Sequence, residues 1–173
     1  MSLTPDAVQP ALRGSFGRSY VHAGETPSTM ALLPPDAPHG AVAVAEHQTA
    51  GRGRLGRVWV DEPGAGLALS VCLRPPPPVA RWPELTLVAA EAVAGAIGPR
   101  ASIKPPNDVL VDGRKAAGVL AEAGDHVVLG IGVNVGSAPW AGAGHVEADR
   151  LELLVEILAR LEAGYERWLL TVP

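Results

Sequence analysis

The sequence predicts an α+β fold in which a mixed β-sheet is flanked by helices, and three observations carry that expectation. Twenty glycines and 17 prolines among 173 residues punctuate the backbone more often than a helical bundle tolerates. Apolar residues make up 47% of the chain and charged residues 18%, which allows a packed core and excludes a disordered chain. Strand patterns cluster between two helical patterns in place of strict alternation, as in α+β proteins. The length is that of one domain, with no internal repeat.

Residues 1–19 carry Pro5, Pro10, Gly14 and Gly17 without a sustained period and are expected to form a loosely ordered lead-in to a single domain over residues 20–173. Residues 27–33 read as a helix N-cap followed by one or two turns. The apolar runs 41–46 and 66–73 are strands, the second stopped by the four prolines 75–78, which have no N–H for a ladder. Residues 58–60 form a further strand candidate, with a turn over 61–64. From Pro83 the period becomes helical, with Leu85, Val88, Ala92, Val93, Ala96 and Ile97 on one stripe and Gly98-Pro99 as the stop. Strands are expected at 102–104, 109–111, 117–122 and 126–135, with Asp112-Gly113 as the turn between the second and third. Leu151, Leu154, Val155, Leu158, Leu161, Tyr165 and Trp168 then mark an amphipathic helix over 147–169.

Several function classes fall away on composition. The longest membrane candidate, residues 85–97, is interrupted by Glu91 and too short to span a bilayer. Residues 1–14 lack an apolar stretch of signal-peptide type, so a cytoplasmic protein is expected. The one cysteine, Cys72, excludes a disulfide framework and a cysteine zinc cluster. Its apolar surroundings make it a core residue in preference to a nucleophile. A net charge of −4 gives no global attraction to nucleic acid.

The densest chemical signal lies in residues 46–59. Gly51, Gly53 and Gly56 satisfy the dinucleotide-binding glycine spacing, but a strand candidate follows where that motif requires a helix. Interleaved with Arg52, Arg54 and Arg57, the glycines instead suggest a flexible loop that bends around phosphate or carboxylate. The competing reading is a solvated basic loop balanced by Glu46 and Asp61. In residues 103–108, Pro105-Pro106 forces an extended approach to Asn107 and Asp108, whose oxygens suit Mg²⁺ or a self-satisfied Asx turn. Lys115, at the head of a strand, either projects into a site or decorates the strand end. Gly130 and Gly132 alternate with Ile131 and Val133 before Asn134, so something approaches closely on the glycine side, either a ligand or a helix. Ser28 and Thr29 read from the residues alone as a helix cap in preference to ligand contacts.

Taken together, Ser28-Thr29, Ala45-Glu46, Gln48, the Gly51–Trp59 loop, Lys104 with Pro106-Asn107-Asp108, Arg114-Lys115 with Gly118, and Gly130–Asn134 resemble the catalytic domain of biotin protein ligases. The resemblance implies the biotin/lipoate ligase fold, similar to class II aminoacyl-tRNA synthetases. It also implies a two-step reaction in which biotin and ATP give biotinyl-5′-AMP, which then biotinylates one lysine of a biotin carboxyl carrier protein. ATP with Mg²⁺ and biotin would be substrates, with no tightly bound cofactor. By the same resemblance Lys115 and Arg52 are catalytic, Lys115 lying between the biotin carboxylate and the α-phosphate. Ser28, Thr29, Met30, Gln48, Gly51, Arg52, Gly53, Arg54, Lys115, Gly118 and Gly132 would surround biotin. Arg52, Arg54, Arg57, Trp59, Asn107, Asp108, Lys115 and Asn134 would surround ATP or the adenylate, with Asp108 and Asn107 also holding Mg²⁺.

The chain departs from the family pattern at three positions. Asn is usual where Met30 stands, Trp where Pro105 stands, and often a basic residue where Leu55 stands. Two rivals follow: a lipoate or octanoate ligase, which shares the fold and acyl-adenylate chemistry but not the Gly-Arg-Gly-Arg loop, and a degenerate adenylate-binding homologue without activity. With 27 residues before Ser28 and the catalytic region reaching Trp168, the expectation is no DNA-binding helix-turn-helix domain, no C-terminal β-barrel, no DNA or membrane partner, and a homodimer only as a family habit.

Overall fold

The computed structural model describes residues 2–173. Among them, seven strands form one sheet in the order β1-β2-β5-β9-β8-β7-β6. They are β1 (Tyr20–Thr26), β2 (Val42–Gln48), β5 (Gly66–Leu73), β6 (Ala101–Lys104), β7 (Asp108–Val111), β8 (Arg114–Ala123) and β9 (Val127–Asn134). A separate two-stranded ribbon, β3 (Gly51–Arg52) with β4 (Val58–Trp59), stands on the connection between β2 and β5. β1 runs parallel to β2 and every other neighbour is antiparallel, so the sheet is mixed as expected. The helices are α1 (Pro5–Val8), α2 (Glu84–Ile97) and α3 (Arg150–Leu169).

Residue alternation decides which face of the sheet is covered. On β5, Leu67, Leu69, Val71 and Leu73 enter one core with Val127, Leu129, Ile131 and Val133 of β9. Leu85, Ala89 and Val93 of α2 and Leu154, Ile157, Leu158 and Leu161 of α3 complete it. The intervening positions, Ala68, Ser70 and Cys72 on β5 and Gly130 and Gly132 on β9, must point the other way because strand side chains alternate. They are small, so the helix-free face has a shallow floor. A one-residue slip in register would bring the glycines to the helices and the leucines to that floor. Cys72 packs there with Leu33, Ala37, Ala41 and Ala43, where burial pushes its thiol above the ordinary range; it is the core residue its surroundings suggested.

The lead-in is not loose. Residues 5–8 form α1, residues 9–11 a 3₁₀ turn, and Leu3, Val8, Leu12 and Phe16 join the main core. Glu162 of α3 explains the order, since its carboxylate accepts from the Ser15 N–H and hydroxyl and from the Phe16 N–H. No periodicity within residues 1–19 reveals a partner located nearly 150 positions away. β1 was likewise unassigned, because its burial does not alternate. It is held by β2 and by Glu46, whose carboxylate meets His22 of β1 at 2.9 Å and Arg150 of α3 at 2.5 Å. Burial pushes the Glu46 pKa up, but these two hydrogen bonds outweigh it and the net shift is downward.

The start of α3 depends on Asp149. Its Oδ1 accepts the N–H groups of Leu151 at 2.9 Å and Glu152 at 3.0 Å, satisfying two donors that the helix leaves open. Asp149→Ala is expected to cost about 1 kcal/mol, seen as a lower urea midpoint with an unchanged slope.

Candidate active site

The helix-free face carries a cleft of ≈ 470 Å³, a size suited to a small organic ligand. Its floor follows from the glycines. A Cβ at Gly132 would lie 2.4 Å from Cε2 of Trp59, one at Gly118 3.4 Å from Cζ3 of the same ring, and one at Gly130 3.0 Å from Sδ of Met30. Only glycine at 132 permits the indole to lie against the sheet. The close neighbour on the glycine side is therefore an aromatic side chain from β4 over Gly118 and Gly132 and, over Gly130, a thioether from the 3₁₀ helix Thr29–Leu32.

At one end, polar groups converge. Thr29 donates its N–H to Oε1 of Gln48 at 2.9 Å, and its hydroxyl lies 2.8 Å from Oγ of Ser70. Ser28 caps the 3₁₀ turn Thr29–Leu32 through a 3.3 Å bond from the Met30 N–H, so capping and cleft lining coexist in one residue. Ser70 was not singled out from the sequence. Its signal is a lone hydroxyl inside the apolar run of β5. Ser28, Thr29 and Ser70 are all buried, and a buried network of hydroxyls and amide supplies oriented donors and acceptors to a polar, uncharged group.

Elsewhere the cleft is cationic. Arg52, Arg54, Arg57, Lys104 and Lys115 line it against one carboxylate, Asp108. The ammonium of Lys115 lies 2.8 Å from Oδ1 of Asp108 and 5.9 Å from the centre of the Trp59 ring. Arg54 donates to Oδ1 of Asn107 at 3.1 Å, and Asn107 donates to the carbonyl of Val119 at 3.0 Å. Arg52 reaches Glu122 of β8 at 2.7 Å, both side chains being 46% exposed; such a pair is weak and exchangeable. The loop turns at Leu55 (φ 57°) and Gly56 (φ 74°), which carries the Leu55 side chain 88% exposed to the tip. Glu46 and Asp61, the acids that a solvated basic loop would use, are engaged with His22, Arg150, His47 and Gln48 instead.

Of the sequence-predicted site residues, Ser28, Thr29, Met30, Gln48, Arg52, Gly53, Arg54, Arg57, Trp59, Asn107, Asp108, Lys115, Gly118 and Gly132 all line this one cleft. Two do not. Gly51 sits behind it, where a Cβ would be 2.6 Å from the Trp59 carbonyl oxygen. Asn134 is buried and donates to the Gly144 carbonyl at 2.9 Å. Its amide therefore shapes the loop after β9, and its side chain is not among those lining the cleft. Trp140, on that loop and 49% exposed, does line the cleft. A single aromatic residue in a stretch of Gly, Ala and Pro was the available signal. As for Mg²⁺, no cluster of three or more His, Cys, Asp or Glu exists among the described residues. Asn107 and Asp108 already face cations, and one carboxylate suits a metal that arrives on phosphate oxygens better than a resident one.

Comparison with known proteins agrees with this arrangement. A model described as the biotin/lipoate A/B protein ligase family matches residues 25–134. The chain belongs to the biotin/lipoate A/B protein ligase family. It is 44% identical over 114 residues to the bifunctional ligase/repressor BirA of Bacillus subtilis (strain 168), covering 60% of this chain and 35% of that protein. It is 39% identical over 178 residues to the biotin--[acetyl-CoA-carboxylase] ligase of Mycobacterium tuberculosis, covering 90% of this chain and 67% of that one. Among solved structures, the biotin protein ligase from Aquifex aeolicus in complex with biotin and ATP superposes with a TM-score of 0.73 at 30% identity, over 87% of this chain and 72% of that one. The chain thus spans about a third of the Bacillus protein and about two thirds of the Mycobacterium one. The fold is the α+β ligase fold that the sequence suggested, and the family match includes every proposed site residue while leaving Trp140 outside it. No helix among the described residues is long and apolar enough to cross a membrane.

Proposed function

We propose that this family member activates biotin with ATP and transfers it to a lysine of a biotin carboxyl carrier protein. The observation that carries the reading is the division of one cleft into a neutral hydrogen-bonding end, an apolar floor and a cationic end. Biotin has the matching parts: a ureido group that donates and accepts, an apolar bicycle, and a carboxylate.

In the first step a carboxylate oxygen attacks the α-phosphorus of ATP, a C–O–P linkage forms, and the bond to pyrophosphate breaks. Two anions must meet, so the barrier is electrostatic, and preorganised cations lower it. Lys115 is the cation seated over the floor beside Trp59. Arg52 and Arg54 leave their present partners, Glu122 and Asn107, to meet the adenylate, an exchange that exposed pairs allow. Asp108, with Asn107 beside it, would hold a Mg²⁺ carried on the phosphates, which would supply further positive charge against them. Trp140 supplies an aromatic face for adenine where Pro105 cannot. In the second step the acceptor amine attacks the acyl carbon, an amide forms, AMP leaves, and the amine loses a proton. The arginine loop, closed over the mixed anhydride, keeps water out until then.

Met30 places a thioether above Gly130 where an amide is usual, which leaves Ser28, Thr29 and Gln48 to bind the ureido group, with Ser70 holding the Thr29 hydroxyl from beneath. The deciding experiment incubates the protein with ATP, Mg²⁺, carrier domain and either biotin or lipoate, and reads intact mass. A biotinyl adduct is expected. A lipoyl adduct would move the protein to the other branch of the family, and no adduct with either would mark a non-catalytic homologue.

A further inference from the structure

The arginine loop needs a fixed base if it is to close as a unit, and the sheet does not provide one on both sides. β2 pairs with β5 only as far as Ala45, opposite Ala68. Beyond that point β1 still covers one edge, with the Thr49 N–H bound to the Thr26 carbonyl and the Ala50 N–H to that of Pro27. Alternate N–H groups of a strand point to opposite edges, so the N–H of Gln48 faces the side where β5 has ended. Asp61 fills the place of the missing strand. Its carboxylate accepts from the Gln48 N–H at 3.3 Å through both oxygens, and Oδ1 lies 2.8 Å from Nδ1 of His47. The Asp61 side chain is 4% exposed, and a Cβ on Gly66 would touch its Cβ at 3.4 Å, so it has little room to turn elsewhere.

We infer that Asp61 is a positioning residue that closes the neck of the loop formed by residues 49–60 and, through the backbone of Gln48, aims the Gln48 side chain at Thr29. Inside the loop the β3–β4 ribbon pairs Gly51 with Trp59 and Arg52 with Val58, and below it the Asp61 carboxylate joins the two ends beside the Gly64 N–H bond to the Glu46 carbonyl at 3.1 Å. The residue it grips is the one whose Oε1 receives the Thr29 N–H. Motion of the loop is thereby confined to residues beyond the neck, and the neutral end of the cleft stays ordered while the arginines move. The ligand side of this inference rests on the biotin reading above; the neck itself does not.

The test therefore has one readout without ligand and one with it. Arg52, Arg54 and Arg57 are trypsin sites inside the loop, and their cleavage rate reports its opening. Asp61→Ala is expected to raise that rate roughly tenfold, the size of a lost charge-assisted hydrogen bond, with the thermal midpoint lowered by only the few degrees that the same loss costs the whole fold. It should also raise the biotin Kd in calorimetry about tenfold, with the Kd for ATP moved less than twofold. Asp61→Asn keeps an acceptor oxygen and should restore both to within about threefold of wild type. Unchanged cleavage in Asp61→Ala, or an Asn variant as damaged as the Ala one, overturns the inference. If Asp61→Ala does not fold, His47→Phe retains ring volume and removes one donor; cleavage is then expected to rise about threefold, and an unchanged rate is again fatal. A wild-type protein that binds no biotin, with the cleavage differences intact, would refute the biotin reading and leave the neck standing.

Discussion

Lys115→Ala lowers adenylate formation by about 10²–10³-fold, measured as biotin-dependent pyrophosphate release, while the variant unfolds at the wild-type urea midpoint. The reason lies in where β8 delivers the ammonium. Lys115 pairs with Leu110 at a register shift between β7 and β8, and its Nζ meets Asp108 at 2.8 Å and looks onto the Trp59 ring at 5.9 Å. Asp108 orients the cation and Trp59 forms the wall beside it. No other cation lies within an ion-pair distance of Asp108 among the described residues, so none is held to substitute. The side chain is 37% exposed, and its removal opens no core cavity, which separates a catalytic loss from a folding defect. Lys115→Arg retains charge but spreads it over a planar fork, and an intermediate rate is expected. Full activity in Lys115→Ala would remove this residue from the chemistry.

Gly132→Val is expected to weaken biotin binding roughly 10- to 100-fold, the effect of forcing extra atoms into a filled space. Even the first added carbon would stand 2.4 Å from Cε2 and 2.7 Å from Nε1 of Trp59, so the indole must leave the floor and take β4 with it. The loop, the wall beside Lys115 and the contact over Gly118 shift together. A second substitution distinguishes displacement from direct obstruction. If displacement of Trp59 is the cause, Gly132→Val and Trp59→Ala are non-additive and the double variant loses little more than Trp59→Ala alone. Additive losses measured by calorimetry would mean that the valine obstructs the ligand itself.

Elements that read clearly in the sequence are those whose environment is uniform along their length. β5 matches residues 66–73 and α2 begins and ends beside Pro83 and Gly98, because each buries one continuous stripe in the same core and is stopped by residues that cannot continue it. The arginine loop was legible for a different reason: three glycines and three arginines in seven residues have no place in a core, and their order resembles that of biotin protein ligases. The lead-in, β1, Ser70 and Asp61 were not legible. Each acquires its role from a distant partner: Glu162 for residues 15 and 16, Glu46 for His22, Thr29 for Ser70, and the unpaired edge of β2 for Asp61.

Composition and local pattern thus established an α+β domain, its main strands and helices and the cationic loop, because these depend on near neighbours in the chain, whereas Lys115 became a candidate only through the family resemblance. Which side of the sheet stays free of helices, which glycines carry Trp59 and Met30, and why Asn134 turns away while Trp140 faces the cleft depend on contacts between segments far apart in the chain. Hydrogen bonds and close packing between distant residues follow from three-dimensional position, and local spacing holds no record of them. Glu46 and Asp61 likewise lie near the loop's arginines in sequence, yet the folded chain commits both to binding its own strands, and the acid that Arg52 meets is Glu122 of β8.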